Sequence, residues 1–162
     1  MKKTLDAHYR NEDPLAKSLS NLFPYTFELD GHTIKSMEGF LQSVKTNNQS
    51  EKEKVWKMHG VSCWKYGQNL NGWKDTQILY WEGKAMKRLS DEYQHLLERA
   101  FDALFENKEF KQRIKESLKY NVTHTIGKTD KTDSVLTKDE YIYNLERLRS
   151  KIKEKRFFNL FG

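Results

Sequence analysis

Tyr25-Thr26-Phe27-Glu28-Leu29-Asp30-Gly31-His32-Thr33-Ile34 alternates apolar and polar side chains around an Asp-Gly pair. Alternation at period two puts Tyr25, Phe27 and Leu29 on one face of a strand, and Asp-Gly tolerates the positive φ angles of a two-residue type I′ turn. A turn at 30 and 31 sets Phe27 opposite Ile34, so a β-hairpin is predicted here.

Downstream the period changes to that of a helix. Ser36 is a candidate N-cap, and Met37, Phe40, Leu41 and Val44 recur at helical spacing. Glu51 to Met58 reads as a short second helix around Val55 and Trp56, stopped at Gly60. Residues 61–79 read as loop or interrupted helix. Leu89, Tyr93, Leu96, Leu97, Ala100, Phe101 and Leu104 form one apolar stripe, with Ser90, Asp91 and Glu92 at its start, where acids suit the helix dipole. Phe110, Ile114 and Leu118 suggest a further helix, and residues 119–135 are polar and turn-like. Thr137-Lys138-Asp139-Glu140 is a capping box opening a last helix whose buried face is Tyr141, Leu145, Leu148 and Ile152.

Upstream, residues 1–20 are polar and read as loop or short helix. The expectation is an α+β fold, predominantly helical, with a small β-hairpin near the N-terminus. One domain spans 1–162, with an N-terminal extension over 1–18 and a basic and aromatic tail over 153–162 that packs back onto the body.

The 162 residues suffice for one core and are short for two. Four Trp, eight Tyr and nine Phe supply large rings, and both prolines lie before residue 25, which leaves the remainder free to be helical. Lys and Arg outnumber Asp and Glu by 29 to 23, a balance that suits an anionic partner or a modestly basic solvated surface. Cys63 is the only cysteine, which excludes an internal disulfide and an all-cysteine metal site; burial is its expected state. No stretch approaches a transmembrane span and no signal peptide is visible, so no membrane partner is expected and the cytoplasm is the default compartment. The five histidines lack metal-ligand spacing, and no phosphate-binding glycine motif occurs, so neither metal nor cofactor is expected.

On a wheel of 100° per residue, Glu38, Gln42 and Lys45 fall within an arc of about 60°, beside the arc of Met37, Phe40, Leu41 and Val44. A carboxylate, an amide and an ammonium at the edge of a core form the wall of a polar pocket, or else an ordinary surface row stabilising the helix.

The stretch Leu19-Ser20-Asn21-Leu22-Phe23-Pro24, then Phe27, then Asp30-Gly31, then Glu38, Gln42 and Lys45 resembles the opening signature of the NADAR (YbiA-like) family. The likeness runs on more loosely to about residue 152. Lys65 beside Gly67 is similar to the family's Lys/Gly segment. Trp73 and the run Tyr80-Trp81-Glu82-Gly83-Lys84-Ala85 lead into the long helix as in family members, and Thr123-His124-Thr125-Ile126-Gly127 with Asp130 resembles a late family loop. Many relatives carry an acidic Trp-Gly motif in that region, whereas this chain has no tryptophan after Trp81.

The resemblance implies a hydrolase of N-glycosidic bonds in NAD and ADP-ribose metabolism. Its substrates would be ribosyl-linked bases in ADP-ribosyl groups or related phosphorylated ribosides, ADP-ribosylated guanine and nucleic acid carrying it among them. It implies Glu38 and Lys45 as the catalytic pair. Asn21, Gln42, Lys65, Trp73, Trp81, His124 and Asp130 are then the candidates for substrate binding, with core packing the alternative role of both tryptophans and loop hydrogen bonding that of His124. Breaking a ribosyl C–N bond builds positive charge on the sugar, which a carboxylate stabilises. Lysine can hold the diphosphate, protonate the leaving base, or add as a neutral amine to the opened sugar. This reading requires Glu38 and Lys45 to share a cavity large enough for a ribose. The competing reading is a non-catalytic module that binds ADP-ribose or nucleic acid, the latter through charge and aromatic stacking in the tail.

Overall fold

The computed structural model describes residues 1–161. The predicted hairpin is present as β2 (Phe27–Leu29) and β3 (His32–Ile34), with Phe27 opposite Ile34 and Leu29 opposite His32. Asp30 and Gly31 take φ of 50° and 82°, as the turn requires. The Asp30 carboxylate accepts the Trp81 indole N–H at 2.8 Å and also pairs with Arg99, tying the turn to two distant elements.

A short α1 (Pro14–Ser18) precedes the hairpin, and from the hairpin the chain enters α2 (Met37–Ser43), capped by the Ser36 hydroxyl, which accepts from the Gly39 N–H. Then follow α3 (Gln49–Trp56), capped by Asn48, and α4 (Gly60–Gly67), which starts at the glycine expected to end its predecessor. A short 3₁₀ turn and α5 (Trp73–Thr76) complete the region read as interrupted helix. The long amphipathic helix is α6 (Asp91–Phe105), capped by Ser90. It packs against β2, α2, α7 (Lys108–Ser117) and α8 (Lys138–Phe161). Its buried Tyr93, Leu96, Leu97, Ala100, Phe101 and Leu104 join Phe40, Leu145 and Leu148 in one core. Each such large side chain, fully buried, contributes roughly 1.5–3 kcal/mol before conformational entropy is set against it. The capping box forms as read: the Thr137 N–H donates to Glu140 Oε1 at 2.8 Å and the Glu140 N–H to Thr137 Oγ1 at 3.3 Å.

Four expectations are corrected. Residues Thr4–Asp6 form β1, which pairs in parallel with β6 (Asn121–Thr123), so the N-terminal segment is built into the fold. Three bonds from Thr123 and Thr125 to the Asp6 carboxylate hold that seam. Residues 78–87 make a second hairpin, β4 (Ile78–Trp81) and β5 (Lys84–Lys87), turning through Glu82 and Gly83 at positive φ. Leu89 precedes its helix and is exposed rather than part of the apolar stripe. The tail does not fold back. Residues 153–161 continue α8, led on by the helix-forming run Lys153-Glu154-Lys155-Arg156, and project into solvent, with Phe157, Phe158, Leu160 and Phe161 all exposed. Among the described residues, no helix is long and apolar enough to cross a membrane.

Candidate functional site

Glu38 lies in the first turn of α2, facing inward, and is 7% exposed. Its N–H donates to the Asn21 carbonyl at 2.9 Å, which docks the Leu19–Pro24 stretch against the start of the helix. One turn on, Gln42 Nε2 donates to Glu38 Oε1 at 2.6 Å, the i to i+4 contact the wheel allows. Burial pushes the Glu38 carboxyl pKa up, opposed by the Gln42 bond and by the positive charge of Lys45.

Lys45 follows the end of the same helix and is half-buried. Its pKa is lowered to about 8, chiefly by burial and further by Lys74 and Lys128, against the opposing pull of Glu38. Those two cations belong to α5 and to the loop before α8. Asp133 holds them together, with each Nζ 2.6 Å from a carboxylate oxygen. Hydrogen bonds from Lys128 and Lys74 bring the Asp133 pKa down to about 2. Three ammonium groups from three segments are therefore coupled around Lys45, which alone of them acts on Glu38. The buried Cys63 also interacts with it: burial pushes its thiol up to about 12, with Glu38 adding to the effect and Lys45 opposing it, so the thiol is an inert wall.

Gln42 Oε1 is buried and has no hydrogen-bond partner. It lies under Gly67, where an added Cβ would stand 1.7 Å from that oxygen and 2.8 Å from Gln42 Cγ. Gly67 of α4 is thus a glycine because the amide of α2 needs the space. Gly67→Ala should displace the Gln42 amide, break its bond to Glu38 and cost about 1–3 kcal/mol, measurable by urea unfolding. Unchanged stability with the Glu38–Gln42 bond intact would contradict this.

The remaining sequence candidates are scattered. Trp81 is buried against Phe40 and Trp56, with its N–H given to Asp30. Trp73 is also buried, but its indole N–H lacks a partner. His124 Nδ1 bonds the Ala7 carbonyl at 2.7 Å and its ring packs on Tyr141, which places it in the β1–β6 seam. Asp130 is spent on its own turn, accepting from the N–H and hydroxyl of Thr132. Lys65 is exposed on α4. Asn21 lines a pocket of only about 10 Å³, together with Tyr25, Phe101 and Tyr141. Neither that pocket nor the larger groove between α7 and α8 is lined by Glu38 or Lys45. Neither of these two concavities is thus the ribose-sized cavity expected between them.

Lys74, Lys128 and Asp133 escaped the sequence reading, since nothing distinguishes two lysines among so many basic residues. Lys52 did as well. It is buried, donates to the Ser43 and Tyr80 carbonyls at 2.8 Å each, and so fastens the end of α2 to β4.

Among solved structures this arrangement of helices and small sheets is shared with YbiA of Escherichia coli, at a TM-score of 0.63 and 14% identity, over 97% of this chain and 89% of that one. The fold is therefore the YbiA-like α+β fold, in keeping with the NADAR resemblance. The chain belongs to the bacteriophage protein GP30.3 family, whose model matches residues 14–150. It is 29% identical over 137 residues to an uncharacterized 17.1 kDa protein from the Gp30-rIII intergenic region of Enterobacteria phage T4, covering 83% of this chain and 90% of the relative.

Proposed function

We propose that this protein hydrolyses the N-glycosidic bond between a base and the ribose of an ADP-ribosyl group or related phosphorylated riboside. The observation that carries the reading is the buried Glu38 carboxyl, held by Gln42 beside a lysine with a lowered pKa. In a site of low dielectric, an ionised carboxylate attracts an oxocarbenium-like sugar far more strongly than it would in water, and its orientation is already set. Lys74 and Lys128, spaced by Asp133, present positive charge for the phosphates.

Lys45 then acts as an amine. Burial and two neighbouring cations are the conditions that give a lysine a usable neutral fraction near physiological pH. Its nitrogen bonds to C1 as the bond from C1 to the base breaks, and the base leaves with one proton of the amine; the C1–O4 ring bond then opens to an imine, O4 taking the remaining N–H proton, and water hydrolyses the imine to free sugar and regenerated amine.

The test is single-turnover release of base from a panel of ribosylated substrates, with ADP-ribosylated guanine in DNA and NAD among them, across pH 5–10. The rate should climb as Lys45 loses its proton and level off above about 8. On the acid side it should also fall as Glu38 becomes protonated, at a pH above the ordinary carboxylate value. A rate that instead drops above 8 would assign Lys45 to phosphate binding as a cation. Absence of release from every substrate would remove the hydrolase reading.

A further inference from the structure

Away from Glu38, a groove of about 330 Å³ runs between α7 and the projecting end of α8. Lys108, Lys111 and Lys115 line one wall at i, i+3 and i+7, a row spanning about 10 Å along the helix. Lys151, Lys155 and Arg156 line the other, also on one helix face. These six cations equal the chain's whole excess of basic over acidic residues, 29 against 23. The remaining 23 basic residues are matched in number by the 23 acidic ones.

No acidic side chain lines the groove among the described residues, and its neutral lining includes the amides of Gln112 and Asn159 over Phe105 and Ile152. Lys151 is tied to Asp102 at 2.7 Å; the other five have no carboxylate within 4 Å among the described residues. Two facing rows of like charge, five of the six without a carboxylate partner, repel each other, a cost that a bound polyanion removes. Five of the six are lysines, whose ammonium is a compact point charge that binds phosphate oxygens without a fixed planar geometry, as attachment to a backbone of variable sequence requires.

We propose that this groove binds the phosphate backbone of a nucleic-acid strand. None of the exposed phenylalanines of α8 is among the residues lining the groove, so backbone contacts rather than base stacking provide the attachment, and sequence is not read. The inference does not depend on chemistry at Glu38, and Glu38→Gln should bind nucleic acid as the parent does.

The test is fluorescence anisotropy with a labelled 20-nucleotide single strand and the matching duplex, titrated at several salt concentrations with the full-length protein. With four to six contacts, the logarithm of the association constant should fall against the logarithm of salt with a slope of about −3 to −4 for the single strand. Lys115→Glu and Lys155→Glu, both at exposed positions, should each weaken binding tenfold or more and make the slope shallower by about 1. Lys35→Glu makes the same charge change at an exposed site outside the groove and should have little effect. An equal loss from Lys35→Glu would overturn the placement in the groove. Equally tight binding of a polyglutamate peptide of the same length would overturn the assignment to nucleic acid, as would no binding of either strand form at low salt.

Discussion

Glu38→Gln should lower release of base from a ribosylated substrate by about 10²–10⁴-fold while leaving the protein at least as stable as the parent. The two halves of that expectation share one cause. Burial makes the ionised carboxylate costly in the folded state, which is why its pKa is raised. A group whose folded pKa exceeds its unfolded value favours the folded state at low pH and penalises it as pH rises past the unfolded pKa. At neutral pH the parent carries that penalty and the glutamine variant does not. Glutamine also keeps the shape of the side chain, and its carbonyl oxygen can still accept the Gln42 bond.

A residue retained only for structure would behave in the opposite way, losing stability on substitution and leaving turnover unaffected. A folded variant with full turnover would falsify the role given to Glu38. Activity lost together with stability would show that the carboxylate is a packing device. The measurements are urea unfolding at pH 7 and single-turnover kinetics on one preparation. The trade of stability for a reactive group is the pattern expected of an active site.

How much of this could be read from the residues varies with the physics involved. The first hairpin was legible because Asp-Gly states its turn chemistry locally, and the period-two pattern fixed its register. The second hairpin was not, because Glu82-Gly83 is a weak turn signal and Tyr80 and Trp81 fit a strand or a helix entry equally well. Capping residues Ser36, Ser90 and Thr137 were legible for the same local reason. The β1–β6 pair was hidden: it joins residues more than a hundred positions apart, and three-residue strands carry too little pattern. Within the site, Glu38, Gln42 and Lys45 share one helix, so periodicity alone grouped them. Lys74, Lys128 and Asp133 come from separate segments, and only folding brings their charges to bear on Lys45.

The largest effect on stability should come from Arg88, which the sequence did not single out. It is fully buried, and its guanidinium grips Glu140 through Nη1 and Nη2, at 3.1 and 2.5 Å, while Nε donates to the Ser134 carbonyl at 2.8 Å. Glu140 closes the α8 capping box and also accepts from Gln94 at 2.6 Å. Burial pushes the Glu140 carboxyl up, but the bonds from Arg88, Thr137 and Gln94 outweigh it and hold the pKa below 4.5. Arg88→Met fills similar volume yet leaves Glu140 buried without its counter-charge, held only by Thr137 and Gln94, so a loss of about 3–5 kcal/mol is expected. For a domain of this size that lowers Tm by roughly 6–20 °C.

Because the folded carboxyl pKa is depressed, the contribution of the pair is present at neutral pH and fades as pH falls through that depressed value. The difference between parent and variant should therefore shrink in acid, and thermal unfolding at pH 7 and at pH 3 measures it. A variant within 1 kcal/mol of the parent at pH 7 would contradict the assignment. Arg88 also holds Ser134, next to the Asp133 that positions Lys74 and Lys128. Freed from that anchor, the loop should let the two cations move away from Lys45. The pKa of Lys45 should then rise above about 8, and the alkaline plateau of the rate should move with it. A stability loss with an unmoved pH profile would confine Arg88 to the core, whereas a shifted profile would make the buried ion pair a positioning device for a site built on other elements.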